Sequence, residues 1–576
     1  MAEQRYAQVE PLLRQAAAEG RSDRRARRSL SVVLIHLGRL DEALALIREL
    51  LGDAPTDETL MLNLGVVLYQ LHRLDEARAA LTTLLQKHPR QLTGRVYLAN
   101  TWLQQPRRAL EILRPVRDQA SAQPDLSFTL ATLHERLQEP AEALKHYEMA
   151  LAARPNHAEA LSNWLLTRHY LFPVDLGAVR DKAVHHGAVL QREAEVAGWI
   201  SSQPARRPPG QRLRVGILSS DLRQHVVAYF LESVLQALQA HGVDLIAYAH
   251  HEHSEQASPT IKACFSRWHD IGSLSDGDVA RRIAADELDV LLDLNGHTKG
   301  RRLGVLQRKP AARQVSWLGY FGTTGMPFMD AVIADPHSVP PEEALYFSER
   351  LLYMPGSRLC LSEPAGAPAV VPEPPMGSLP WVTFGCFQNV NKINDRVLGL
   401  WGRVLAAAPA SVLRLQSLRM DKPEQVLRMR ERLRAAGLDL KRVWIGPAMP
   451  RQAYLEQYAE IDVLLDTFPY PGGTTTAEAI WMGVPTLTLA TPGMLGRQGQ
   501  ALLENVGLGD WVAHSEDEYL AKAVALVQDR TAATLRLRAI RRELRETARR
   551  SALFDAQTFA KDFEALLRNY CAQTAD

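Results

Sequence analysis

An interval of 34 residues that recurs in the first part of the chain constrains the fold more than any other feature. Gly38-Arg-Leu-Asp-Glu-Ala43 returns as His72-Arg-Leu-Asp-Glu-Ala77, and Pro55 returns as Pro89. The phase carries on through Ala109 in PRRALEIL and Ala143 in PAEALKHYEMAL, with further prolines at Pro124 and Pro155. A unit this short cannot bury its apolar face alone and must stack on copies of itself. The alanine marks where two helices cross closely. The proline marks where the second helix ends, because it has no amide to continue the ladder. Leu40 and Leu74 are expected to pack between helices. At least four units are visible. Asn63 and Asn100 do not recur at 34, so no asparagine ladder runs along the array.

This is the tetratricopeptide period, and residues 1–202 are read as an all-α superhelix whose concave groove suits an extended peptide or another protein. The connecting stretch Leu171 to Gly210 ends in Gln203-Pro-Ala-Arg-Arg-Pro-Pro-Gly210, after which helix-helix patterning gives way to strand-helix. A first α/β lobe is expected over 203–375, with buried parallel strands at Leu213–Leu218, Asp244–Tyr248, Val290–Leu294 and Gln314–Leu318. They run into Ser219-Ser-Asp-Leu-Arg-Gln-His225, His250-His-Glu-His253, Asn295-Gly-His-Thr-Lys299 and Gly319-Tyr-Phe-Gly-Thr-Thr-Gly325. Function gathers at the carboxyl ends of such strands, and a purely structural sheet needs no such series of polar loops.

A second lobe is expected over 376–576, with strands Trp381–Phe384, Val412–Leu415, Val443–Ile445, Ile461–Leu465 and Pro485–Leu489 and amphipathic helices over 532–570. Its key stretch is Asp466 to Pro485, DTFPYPGGTTTAEAIWMGVP. An apolar strand breaks at Pro469 and Pro471, passes Gly472-Gly473-Thr474-Thr475-Thr476, and resumes as helix. A helix N-terminus offers unpaired N–H groups and the positive end of its dipole, and two glycines let a ligand approach the backbone, so the loop suits a phosphate or diphosphate. Glu478, in the first turn, is placed to accept from sugar hydroxyls further out. Lys392 in Cys386-Phe-Gln-Asn-Val-Asn-Lys-Ile393 precedes a helix opening at Asn394 or Asp395 and would act on the same diphosphate.

Composition narrows the function by exclusion. With 67 basic against 65 acidic residues the net charge is +2, which is no electrostatic footprint for nucleic acid or an anionic membrane. The basic run Arg21 to Arg28 reads as a solvated helix face. No apolar segment reaches the ~18 residues of a membrane span, and MAEQRYAQVE lacks a signal-peptide layout, so a cytoplasmic protein is expected. Cys264, Cys360, Cys386 and Cys571 lack metal-ligand spacing and read as buried thiols. Asp276-Gly-Asp278 resembles the Asp-x-Asp of metal-dependent nucleotide-sugar enzymes, but it opens the helix VARRIAADEL, where aspartates cap.

The repeats followed by paired lobes carry VGILSSDLRQH, LNGHTKG, WLGYFGTTGMPFMD, FGCFQNVNKI and DTFPYPGGTTTAEAIWMGVP in that order. This set closely resembles the O-GlcNAc transferase family over nearly the whole chain. The resemblance implies the GT-B fold, UDP-GlcNAc as donor, inverting transfer to serine or threonine of a protein acceptor, and no metal or other cofactor. It makes His225 the active-site histidine, as base or orienting group, and Lys392 the cation that neutralises departing UDP. Asn389 falls at a glutamine lining that pocket, and Thr474 and Thr475, beside the loop glycines Gly472 and Gly473, match the residues that hold the phosphates. Glu478 falls on the ribose, Tyr454 by the nucleoside, and Met449 and Pro450 where backbone groups read uracil. His297, Gly319 and Tyr320 fall in the sugar and acceptor pocket. Gly473 stands where the animal enzyme has a histidine, and VTFGCF, NGHT and DTFPY are closer to the plant SPINDLY-like branch, whose members can use GDP-fucose. Two further readings remain open at this level: a repeat scaffold with decayed lobes, and an asparagine glucosyltransferase, whose N-terminal region is not a 34-residue array.

Overall fold

The computed structural model describes residues 2–19, 24–199, 211–250, 257–417, 420–447 and 449–573, in two compact units, Met1–Thr167 and Arg168–Asp576. In the first unit the repeats form paired helices: Arg24–His36 with Leu40–Asp53, Glu58–Gln70 with Leu74–Lys87, and Pro124–Arg136 with Pro140–Ala153. Ala43, Ala77, Ala109 and Ala143 are all fully buried, as a close helix crossing requires. Leu40 packs against the first core cluster. Pro55, Pro89 and Pro155 follow helix ends at Asp53, Lys87 and Ala153. Pro124 instead opens a helix, at the position where a missing amide costs nothing. The third unit is irregular. Its helices Leu92–Asn100 and Pro106–Leu113 are short and run into 3₁₀ turns over Arg114–Ala122, with Pro106 and Pro115 setting the breaks.

The expected boundary at 202 is displaced. The helix Leu176–Val196 lies in the second unit, because Gly187 meets the backbone of Gly325 so closely that a Cβ would stand 2.0 Å from its oxygen. Gln307 Nε2 also donates to Leu190 O at 3.1 Å. The proline-rich segment at 203–210 lies outside the described residues.

The second unit holds two parallel sheets. The first comprises β1 (Arg214–Ser219), β2 (Asp244–Ala249), β3 (Arg267–Asp270), β4 (Val290–Asp293), β5 (Gln314–Ser316), β6 (Ala331–Ala334) and β7 (Arg350–Tyr353), in the order β3-β2-β1-β4-β5-β6-β7. The second comprises β8 (Val382–Cys386), β9 (Ser411–Gln416), β10 (Val443–Gly446), β11 (Val463–Leu465), β12 (Thr486–Leu489) and β13 (Val512–Ala513), in the order β10-β9-β8-β11-β12-β13. Strand order reverses beside β1 and β8, which places a crevice at the carboxyl ends of β1 and β4 and of β8 and β11. Sequence reading missed β3, β6, β7 and β13. β3 is a polar edge strand, β13 has two residues, and β6 and β7 are runs of four with no period to read.

The chain end is divided between the lobes, a correction to the expected 376–576 lobe. Helix Arg530–Arg549 covers the second sheet, where buried Arg541 donates to Ile461 O. Helix Ala556–Ala572 returns to the first lobe. Phe563 packs on Trp317 at 4.7 Å between ring centroids, and the helix lies along Glu232–Ala240.

Candidate active site at the two switch points

The stretch after β11 is organised by Asp466, which is fully buried. Its Oδ1 accepts from Gly472 N at 2.8 Å, Thr467 N at 2.9 Å and Gln388 Nε2 at 3.0 Å, and its Oδ2 from Thr488 Oγ1 at 2.8 Å. Burial raises its pKa to about 6 against these hydrogen bonds. The carboxylate thus folds the Pro471-Gly472-Gly473 loop back over the end of the strand. Helix Thr474–Trp481 follows, and its cap residue Gly473 has no side chain with which to satisfy the first amides. The Thr476 hydroxyl beside Gly472 is buried without a hydrogen-bond partner. A Cβ at 472 would stand 2.2 Å from Gln388 Nε2, so a side chain there would push that amide off Asp466.

Lys392 arrives from the loop after β8. Its ammonium donates to Pro471 O at 2.8 Å and lies 4.1 Å above the Tyr470 ring. Burial lowers its pKa to about 8, with Asp466 and then Cys386 pulling the other way. The helix that follows is Asp395–Ala407, capped by Asn394, which accepts from Val397 N at 3.0 Å. The Asn394 amide also donates to Phe468 O at 2.7 Å, tying the two loops together. Lys392, Gly472, Gly473, Thr474 and Thr475 are therefore gathered at one switch point. Asn389 is not: it is exposed and caps Asn391 N at 3.1 Å. Gln388, the neighbour that sequence reading passed over, is the one against the loop.

Glu478 is buried. One carboxylate oxygen is paired with Arg451 and the other accepts from Tyr454 OH at 3.0 Å. Tyr454 OH also meets Tyr458 OH at 2.9 Å, and Tyr458 OH donates to Thr475 O at 3.0 Å. Burial raises the Glu478 pKa, with Arg451 opposing. Arg451 stacks 5.0 Å from the Tyr229 ring of the first lobe. Met449 and Pro450 precede the helix Arg451–Glu456, half-buried and exposed respectively.

In the first lobe the ends of β1 and β4 are joined by Asn295, which accepts from Ser220 N at 3.0 Å and donates to Asp221 Oδ2 at 3.1 Å. His225 Nδ1 lies 3.6 Å from Asp221 Oδ1, with about a third of its side chain exposed. His297 is fully buried, and its Nε2 donates to Thr324 O at 2.8 Å. Burial lowers its pKa to about 4, so it is neutral. Gly319 meets the main chain, since a Cβ would stand 2.0 Å from Leu294 O. Tyr320 is buried with an unpartnered hydroxyl, edge-on to His297 at 5.1 Å and to His169 at 6.0 Å. Tyr170 packs on Tyr470 at 4.9 Å. His169 and Tyr170 carry no sequence signal of their own, since they directly precede the connecting stretch Leu171 to Gly210. After β2, residues 251–253 of the His250–His253 loop lie outside the described residues. Ser275 is the cap of helix Asp276–Ala285; Asp276 pairs with Arg302 and Asp278 with Arg281.

A helical repeat region followed by two parallel sheets, each with polar loops at its switch point, is the architecture of a repeat-bearing enzyme with a GT-B-like fold. A family model described as glycosyl transferase family 41 matches residues 167–360 and 378–563, and tetratricopeptide models match 1–60, 38–95 and 103–158. The chain belongs to glycosyl transferase family 41. It is 32% identical over 388 residues to SPINDLY of Solanum lycopersicum, named as a probable UDP-N-acetylglucosamine–peptide N-acetylglucosaminyltransferase, across 66% of this chain and 40% of that protein. The SPINDLY of Oryza sativa subsp. japonica is 32% identical over 440 residues, 74% of this chain and 46% of its own. The matches thus span less than half the length of these plant relatives. A mutant of the Thermobaculum terrenum O-GlcNAc transferase matches at TM-score 0.69 and 27% identity, covering 98% of this chain and 99% of that one. Among the described residues no helix is long and apolar enough to cross a membrane.

Proposed function

We propose that the protein transfers N-acetylglucosamine from UDP-GlcNAc to serine or threonine hydroxyls of proteins, with inversion and without a metal ion. The carrying observation is the Lys392 ammonium seated on Pro471 O, beside two glycines, an uncapped helix N-terminus and the unpartnered Thr476 hydroxyl. Glycosyl transfer develops positive charge at the anomeric carbon and negative charge on the departing diphosphate. Fixed donors aimed at the diphosphate therefore stabilise the transition state more than the ground state. Lys392 and the Thr474–Trp481 amides supply that charge, which is the role a metal plays in other nucleotide-sugar enzymes. His225, beside Asp221, takes the acceptor side as base or orienting group. Glu478, Tyr454, Met449 and Pro450 form the nucleoside end, and the loops of Gly319, Tyr320 and His297 the sugar end. The repeat unit takes the protein acceptor.

The names of the plant relatives support UDP-GlcNAc as donor, and that of the Thermobaculum protein supports GlcNAc as the sugar. A second reading, protein O-fucosylation from GDP-fucose, is favoured by Gly473 and by SPINDLY-like motifs. Titration calorimetry with UDP, UDP-GlcNAc and GDP-fucose, each with and without magnesium, separates the two. Metal-independent binding of UDP and UDP-GlcNAc is expected. Preference for GDP-fucose overturns the donor, and absence of nucleotide binding overturns catalysis in favour of a scaffold.

A further inference from the structure

Gln498 opens the helix Gln498–Glu504 of the second lobe and is buried between the lobes. Arg358, at the end of the first lobe, donates from Nη2 to Gln498 Oε1 at 3.2 Å, and Gln498 Nε2 donates to Gly472 O at 3.2 Å. Chemistry decides which way this amide points. A guanidinium can only donate and a carbonyl can only accept, so Oε1 faces Arg358 and the NH₂ faces the glycine loop. An amide nitrogen carries two hydrogens, and Gly472 O takes one. The same nitrogen stands 2.8 Å from where a Cβ on residue 473 would be. The amide thus fills the space that any side chain at 473 would need, with a second N–H to offer there.

Arg358 is built to hold that orientation. It is 2% exposed, its N–H donates to Asp335 Oδ2 at 3.0 Å, and its carbonyl accepts from Trp317 Nε1 at 2.9 Å. The adjoining residue is pinned from the same side, since Glu343 of the first lobe accepts from Arg497 Nη2 at 2.8 Å and Gly493 N at 2.9 Å. Together with the bond from Gly472 N to Asp466, this fixes the Gly472 residue on both its amide and its carbonyl side.

We propose that Gln498 is a donor-binding residue whose second amide hydrogen bonds a phosphate oxygen of a nucleoside diphosphate on the Gly472–Gly473 loop, with Arg358 as the positioning residue that orients it from the other lobe. The inference rests on the proposed function, in which that loop takes a nucleotide sugar. A purely structural clamp from Arg358 to Gly472 O uses the same amide, so the two roles part only in their readout. A lost clamp lowers the melting temperature, whereas a lost phosphate contact lowers nucleotide affinity. Glutamate at 498 would give Arg358 an ion pair, yet it would turn an anion toward both Gly472 O and the phosphate.

The test is titration calorimetry with UDP and GDP on the full chain, alongside thermal unfolding, for the unsubstituted protein, Gln498→Glu, Gln498→Ala and Arg358→Ala/Gln498→Ala. Gln498→Glu is expected to weaken binding of whichever nucleotide the unsubstituted chain prefers at least tenfold, a larger loss than in Gln498→Ala, in a chain that still unfolds cooperatively. Gln498→Ala is expected to weaken it severalfold, and adding Arg358→Ala to cause no further loss of affinity. Unchanged affinity in a folded Gln498→Glu or Gln498→Ala overturns this inference alone. Binding of neither nucleotide by the unsubstituted chain overturns it together with the proposed function.

Discussion

At the residue scale, Lys392 is an ammonium partly withdrawn from water and seated on Pro471 O. The folded chain binds its proton less tightly than the unfolded chain does, with a pKa of about 8 against the usual 10.5. Between those values the unfolded chain carries more protons, so this residue makes the unliganded fold more stable as pH rises through that window, on the order of 1–3 kcal/mol. Diphosphate binding runs the other way, because it needs the charge that is lost above about pH 8. Lys392→Ala is expected to abolish turnover with the fold intact, since an interaction worth several kcal/mol in the transition state disappears. It should also flatten both pH dependences, as checked by calorimetry with UDP and by thermal unfolding from pH 7 to 10. Near-normal turnover in this variant removes Lys392 from the leaving group. Its place beside the glycine loop was legible because a lysine before a helix start is a local pattern. Asp466, Gln388, Arg358 and Gln498 were not, because their partners lie on other strands or on the other lobe.

At the element scale, the helix Asp395–Ala407 shows what local chemistry can specify. Asn394 caps it, as the residue types at 394 and 395 indicate, and the capping amide also reaches Phe468 O. Asn394→Ala should therefore cost about 1–2 kcal/mol of stability, a typical cap loss. It should also weaken UDP binding through the freed Phe468–Pro471 segment; a melting shift with wholly unchanged UDP affinity would separate the cap from the site. The repeats behave alike: alanines at close crossings and prolines at helix ends are local rules. The first holds at Ala43, Ala77, Ala109 and Ala143. The second holds at Pro55, Pro89 and Pro155 but not at Pro124, which opens a helix after the proline-broken third repeat. Strands were read where apolar runs were long, whereas β3, Arg-Trp-His-Asp, is a strand only because it lies beside β2.

At the scale of the whole molecule, the chain end ties the catalytic unit together, one closing helix on each lobe. Phe563, fully buried against Trp317, is expected to cost about 3–5 kcal/mol when replaced by alanine. Urea unfolding checks this, with UDP affinity at low temperature expected to be preserved because the glycine and lysine loops belong to the other sheet. Unaltered unfolding would mean that the helix Ala556–Ala572 contributes nothing to the first lobe.

By themselves the residues determined the repeat period, the alternation of strands and helices after it, and the glycine-threonine and lysine loops, since each depends on spacing and side-chain type within a few dozen residues. Only the tertiary structure decided that the helix Leu176–Val196 belongs with the sheets, that the last helix returns to the first lobe, and that Glu478 is held by Arg451 and Tyr454. It alone brought Arg358 and Gln498 to the glycine loop. Those outcomes depend on which distant surfaces exclude water together and which buried donors find acceptors, and neither condition is written in any one segment of the chain.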